Sequence, residues 1–198
     1  MRANMFWVLA VIGAVPLNAQ SPWGITVELN KSAFSAAAYD SSTPRLAVGP
    51  GWPTMLTLRL QRTGERHGLG VGVTYVNAPL AGWVEDVTLI LASTNELVEI
   101  APEWRYVLAR PASGARWIAH LGPVFDAWGP SAEPIRWRVG GMAGVTLEFP
   151  LSAGWQVGIR GDFAITGSYL RPEDDDDQLD VEPTMRRTRI GLGITRRL

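Results

Sequence analysis

IRWRVGGMAGVTLEF, residues 135–149, divides into two lists when read two residues at a time. Ile135, Trp137, Val139, Gly141, Ala143, Val145, Leu147 and Phe149 form one list; Arg136, Arg138, Gly140, Met142, Gly144, Thr146 and Glu148 form the other. Successive side chains of a strand point to opposite faces, so the stretch predicts a strand with one apolar and one polar face. In a water-soluble sheet the apolar list would be the core and the arginines would meet solvent. Which list points inward is decided by the rest of the chain.

The chain has 198 residues, a formal net charge of -1 and no cysteine. That length suits one domain, and the balanced charge gives no electrostatic reason to expect a nucleic-acid partner. MRANMFWVLAVIGAVPLNA, residues 1–19, joins a basic Arg2 to an apolar stretch from Met5 to Val15, then Pro16 and the small Ala19. This predicts a secretory signal peptide cut after Ala19, with residues 20–198 as the exported domain. A helical membrane anchor needs about 18 or more apolar residues, which neither this stretch nor any later run supplies. Lipid attachment through cysteine and disulfides are both excluded by composition, so the exported domain relies on core, sheet closure or membrane.

Glycine and proline clusters punctuate the chain, and alternating stretches between them predict strands near 23–35, 52–62, 67–78, 96–109, 115–128, 135–149, 154–169 and 185–198. In residues 155–169, Trp155, Val157, Ile159, Phe163, Ile165 and Tyr169 oppose Gln156, Arg160, Asp162, Thr166 and Ser168. In 115–128, Trp117, Leu121 and Phe125 oppose Arg116, His120 and Asp126. In 97–109, Val98, Ile100, Trp104, Tyr106 and Leu108 oppose Glu99, Glu103 and Arg105. Links near 63–66, 110–114 and 150–153 are short, whereas 36–51, 79–95 and 170–184 are long, with 129–134 a modest member of the long set. In an up-and-down meander this alternation gathers short turns at one end and long loops at the other, as in outer-membrane barrels. The stretch 86–92 is apolar for a loop and reads as a continuation of the third or fourth strand beyond the membrane.

Aromatic placement points the same way. Trp23, Trp104, Tyr106, Trp117, Phe149 and Trp155 fall on apolar faces near the short-turn end; Trp52, Tyr75, Phe125, Trp137 and Tyr169 fall on apolar faces near the long-loop end. Two aromatic girdles around an aliphatic band are what a bilayer selects, and strand propensity alone does not sort aromatics to both ends. The polar faces then form a barrel interior in which Glu99, Glu103, Arg105, Arg116, Asp126, Arg136, Arg138, Arg160, Asp162 and Arg189 make a polar network. An interior of about eight strands is just wide enough for side chains to fill it, so long arginines need the small glycines that alternate with them. Adjacent-strand pairing predicts Asp126 with Arg136 or Arg138, Glu103 with Arg105 or Arg116, and Asp162 with Arg138 or Arg189. Each buried charge needs such a partner. Pro53, Pro102 and Pro123 fall within predicted strands, where each removes a ladder hydrogen bond, so bulges or displaced strand ends are expected there.

With its signal peptide, alternating strands, girdles, segregated loops and terminal strand RRTRIGLGITRRL, the chain resembles the small eight-stranded outer-membrane β-barrel proteins, the group of outer membrane protein A and outer membrane protein X. The resemblance implies an all-β, transmembrane, antiparallel up-and-down barrel in a bacterial outer membrane. It also implies outer-membrane lipid around the barrel and insertion by the barrel-assembly machinery, which reads an alternating apolar final strand. Here Ile190, Leu192, Ile194 and Leu198 keep that alternation and Arg196 interrupts it. A monomer is expected.

Chemistry-bearing motifs are few. Of the two histidines, His67 follows a short turn and His120 lies on an inward face among charges, away from the outer rim where lipid-modifying barrels place theirs. No His/Cys metal spacing and no phosphate loop occurs, so neither cofactor nor metal is expected. EDDDDQLD, residues 173–180, lacks the spacing of a calcium loop and reads as a solvated external loop, with a weak divalent-cation link to anionic lipopolysaccharide through its clustered carboxylates as the alternative. The expectation is a non-enzymatic, non-conducting barrel acting through its external loops in envelope integrity, adhesion or partner binding. The alternatives are a lipid-modifying enzyme, a narrow pore or small-ligand carrier, and a soluble exported barrel of the lipocalin kind.

Overall fold

The computed structural model describes residues 22–40, 47–84, 87–130, 134–170 and 179–198; the signal stretch 1–19 and residues 173–178 of the acidic run lie outside them. Among the described residues the strands are β1 Trp23–Phe34, β2 Ala38–Asp40, β3 Ala47–Pro50, β4 Thr54–Thr63, β5 His67–Val84, β6 Val87–Ala109, β7 Arg116–Pro130, β8 Arg136–Ser152, β9 Trp155–Gly167, β10 Leu179–Val181 and β11 Thr184–Arg197. β1, β4, β5, β6, β7, β8, β9 and β11 pair antiparallel in that order, and β11 returns to β1, closing an eight-stranded barrel. Closure leaves the wall no free edge. No helix of the described residues is long and apolar enough to cross a membrane.

Tight turns close one end. Gly64 N donates to His67 O (2.9 Å) between β4 and β5, and Gly114 N donates to Pro111 O (3.0 Å) between β6 and β7. Gly114 and Gly154 take φ of 79° and 82°, a backbone region that costs glycine nothing. Trp23 pairs with Arg62 and Gly24 with Arg197, which brings the first and last strands to this same end.

At the other end the long links are partly sheet, not the plain loops expected of residues 36–51 and 170–184. β10 pairs with β2, β2 with β3, and β3 with the distal part of β5, Pro50 facing Leu80 and Ala47 facing Trp83. β5 and β6 run past the barrel to a last pair of Val84 with Val87, so the apolar stretch that begins β6 does continue a strand. Their register shifts between Pro79 and Ala81, where the arm leaves the wall.

Burial is inside out. On β4, Met55, Thr57, Arg59 and Gln61 are buried while Leu56, Leu58 and Leu60 are exposed. Leu29, Leu58, Val73, Ile100, Leu121, Val145, Ile159 and Leu192, one from each barrel strand, are all exposed. Soluble monomers rarely expose a contiguous apolar patch beyond a few hundred Å². A continuous apolar belt around the circumference is instead what lipid requires, and strands of a closed barrel can cross lipid because their backbone groups pair within the wall.

Of the two outcomes expected for the prolines, Pro53, which lies ahead of β4, meets the displaced strand end, and neither Pro102 nor Pro123 forms a bulge. Ile100 pairs with Phe125 and Trp104 with Leu121, so Pro102 and Pro123 stand opposite each other and the ladder lapses between those pairs without a change of register. Each proline lacks the N–H its partner would have received, so placing them face to face concentrates both losses at one point.

Candidate functional site

The lumen is stacked in layers. Nearest the short turns, Arg105 donates to Gln61 Oε1 (2.5 Å) and Glu148 Oε1 (2.7 Å), and Arg116 donates to Glu148 Oε2 (2.5 Å) and Gln156 Oε1 (2.8 Å). Above it, Arg59 pairs with Glu28 (2.8 Å) and lies 3.4 Å from Glu103, which Arg160 reaches from across the lumen at 2.7 Å. Next, Asp162 receives Arg160 (2.9 Å), Arg189 (2.5 Å) and His120. Toward the loops, Glu99 takes Arg189 (2.8 Å) and Arg187, and Arg187 also lies 3.6 Å from Asp126.

The charges balance. Glu28, Glu99, Glu103, Asp126, Glu148 and Asp162 meet Arg59, Arg105, Arg116, Arg160, Arg187 and Arg189 in one connected set. Among the described residues this set counts six anions against six cations, a formal sum of zero, and such pairing is what makes buried charges tolerable. Hydroxyl and amide groups extend the set: Asn30 donates to Thr57 (3.0 Å), Thr57 bonds Thr74 (2.8 Å), and Thr74 donates to Glu99 (3.3 Å). Gly144 gives the His120–Asp162 pair its room, since a Cβ there would collide with both side chains and with the Gly161 carbonyl.

Above the ions lies an apolar plug. Phe34, Met55, Val76, Leu97, Trp128, Tyr169 and Met185 pack together inside the loop end of the barrel. The Trp128 ring centroid is 5.9 Å from that of Phe34 and 5.1 Å from that of Tyr169. Arg187 joins plug to network, its guanidinium 5.5 Å from the Phe34 ring centroid.

Eight of the ten polar residues singled out in the sequence lie in the connected ion set: Glu99, Glu103, Arg105, Arg116, Asp126, Arg160, Asp162 and Arg189. The other two, Arg136 and Arg138, have backbone carbonyls among their partners. Arg136 donates to Tyr169 O (3.0 Å), and Arg138 donates to the carbonyls of Ser168 and Leu170 (3.3 Å to the latter). Asp126, for which adjacent-strand pairing named Arg136 or Arg138, lies instead within ion-pair distance of Arg187 from across the lumen, at 3.6 Å and without a hydrogen bond between them. Glu28, Arg59, Glu148 and Arg187 belong to the set as well, and each shares inward parity with the polar residues of its own strand.

Among the aromatics, Trp23, Trp104, Trp117 and Phe149 are exposed on the wall near the short turns, and Trp155 is half-buried beneath the guanidinium of Arg196, 4.7 Å from its ring centroid. Trp52, Tyr75 and Trp137 are exposed near the loops. Tyr169 contradicts its assignment to the lipid interface: it is 4% exposed and part of the plug. β9 ends at Gly167, so alternation no longer governs where residue 169 points.

Both histidines lie away from the loop rim. His120 is buried mid-lumen, and His67 stacks on Trp104 outside the short-turn end, ring centroids 5.5 Å apart. Among the described residues, no group of three or more His, Asp or Glu side chains is placed to hold a metal ion.

Solved structures share this architecture. The outer membrane protein OprG of Pseudomonas aeruginosa superposes with a TM-score of 0.54 at 10% identity over 87% of this chain and 96% of that one. Neisserial surface protein A (NspA) superposes with a TM-score of 0.56 at 8% identity over 90% of this chain and 98% of that one. No protein-family model and no curated protein matches the sequence. The closed eight-stranded wall, its exposed apolar belt and these neighbours together give the chain the fold of the small outer-membrane β-barrel proteins.

Proposed function

We propose that the protein is an integral protein of a bacterial outer membrane that neither conducts nor catalyses, and that it works through the sheet at its loop end. The observation that carries the first part is the filled lumen: a charge-balanced ion network fills the middle and an aromatic plug covers it toward the loops. Signal-peptide export, insertion by the barrel-assembly machinery and a monomer surrounded by outer-membrane lipid belong to the same reading. The non-catalytic part is supported by His120, sealed against Asp162, and by His67, at the end opposite the loops.

The arm supports a binding role. Pairing of β6 with β7 begins at Asn95 and Pro130, so the segment 87–94 pairs with β5 alone among the described residues. Val87, Leu89 and Ile90 on it are exposed. An apolar strand with one unpaired edge is a template for an added strand, which offers adhesion or partner binding a physical basis. Planar-bilayer recording tests the closed lumen. The folded protein should give no stable conductance steps; reproducible steps would replace this reading with that of a narrow pore.

A further inference from the structure

At the short-turn mouth the lumen opens into a cavity of about 380 Å³ whose lining includes Gln61, Arg116, Gln156, Thr195 and Arg197. Its inner end is blind: the next void inward measures about 10 Å³, no more than one water's worth. What distinguishes the mouth is the direction of its hydrogen-bonding groups. Gln61 Oε1 is taken by Arg105 and Gln156 Oε1 by Arg116, which leaves the amide NH2 groups of these two lining residues as donors. The Glu148 carboxylate behind them is taken at both oxygens by Arg105 and Arg116. Thr195 is already bonded to Thr26 (2.7 Å). Arg197 makes no ion pair among the described residues. Arg116, Arg197 and two amides therefore line one pocket whose nearest carboxylate is spent; Arg110, held on the Gly64 and Glu65 carbonyls, and Glu65 itself complete its charged lining.

We propose that this mouth is a binding site for a small oxyanion, a carboxylate or phosphate group of a water-soluble ligand entering from the short-turn side. Arg197 supplies the uncompensated charge, Arg116 adds a guanidinium already paired with Glu148, and the Gln61 and Gln156 amides supply donors. A planar guanidinium fork matches either group, and charge-assisted hydrogen bonds are the strong ones. The site lies inside the ring of strands, so the ligand comes from the aqueous phase and not from the surrounding lipid. The proposal concerns the end opposite the arm, and its failure leaves the function proposed above intact.

The test is a titration of the folded protein in detergent micelles, read by NMR at the glutamine amide and arginine side-chain resonances. Inorganic phosphate and succinate are the probes, with sodium chloride at matched ionic strength as reference. Saturable shifts of Gln61, Gln156 and Arg197 with either probe are expected. Arg197→Gln should raise the midpoint about tenfold, the loss of one charged hydrogen bond. Arg197→Lys, which keeps the charge and the fold of an exposed rim position, should weaken binding less. Arg186→Gln, which removes an exposed charge at the loop end, should leave it unchanged. Linear shifts equal to those with chloride, or a midpoint indifferent to Arg197→Gln, would overturn the proposal by showing an adventitious ion only. Shifts that appear only when the micelles contain phosphatidylglycerol would overturn it in favour of a lipid headgroup.

Discussion

Arg160 on β9 reaches Glu103 on β6, Nη2 to Oε2 at 2.7 Å, across the width of the barrel. β7 and β8 lie between the two strands in the wall, so the contact exists only because the sheet closes. Glu103 also faces Arg59 and Arg105, each 3.4 Å away, which makes it the point where the network branches.

Removing that branch point should be costly. Glu103→Ala leaves three buried arginines short of an anion, and breaking a buried ion pair from one side destabilises by about 3–5 kcal/mol. Urea unfolding of the protein in detergent micelles, followed by tryptophan fluorescence, should show the loss. An unchanged midpoint would mean that water entering the lumen solvates those arginines as well as Glu103 does.

Gly144 and Gly161 separate packing from lipid exposure. A Cβ at Gly144 meets the Gly161 carbonyl, His120 and Asp162, whereas a Cβ at Gly161 meets nothing within 4 Å. Overpacking of a filled interior costs about 1–3 kcal/mol or more, while a change on an open surface stays within about 0.5 kcal/mol. Gly144→Ala should therefore lower the yield of the heat-modifiable folded band on a gel, and Gly161→Ala should not.

Trp128 tests the layering. Trp128→Ala empties the centre of the plug and should destabilise by about 3–5 kcal/mol in the same urea unfolding. It should still give no conductance in a planar bilayer, because the Glu99–Arg187–Asp126 layer lies directly beneath. Conductance in this variant alone would make the plug the only seal.

The division of faces was legible in the alternation of 135–149, since lipid and lumen impose opposite polarity at a spacing of two. The contacts inside were not. Adjacent-strand pairing finds Asp162 with Arg189, but it cannot find Asp126 with Arg187 or Glu103 with Arg160, which depend on the diameter of a closed wall. Tyr169 misled because parity was carried two residues past the end of β9. Trp128 shares the parity of Asp126, which was the available sign of an inward aromatic, although a girdle explains only the outward ones. β2, β3 and β10 are three or four residues each, too short for alternation to mark them. The opposed Pro102 and Pro123 needed the register of β6 against β7, which single-strand patterns do not carry.

A charge placed on the outer wall separates lipid from water. Leu192 is 58% exposed and pairs with Leu29 and Ile159 in the middle of the belt. On a soluble surface Leu192→Arg would change stability by no more than about 0.5 kcal/mol. At a bilayer midplane it should cost about 2–4 kcal/mol. Urea titration in lipid bilayers reads the difference.

The most direct measurement uses the absence of cysteine. Single cysteines introduced one at a time along 137–148, labelled with a fluorophore and reconstituted in vesicles, report on each position's surroundings through a quencher attached to lipid acyl chains. Quenching should alternate, strong at Val139, Ala143, Val145 and Leu147 and weak at Met142, Gly144, Thr146 and Glu148, with any position that fails to fold left out of the series. Protection of Val139 and Val145 from the lipid quencher, with water-borne iodide reaching the even positions instead, would place the apolar list in a soluble core and contradict the inside-out barrel.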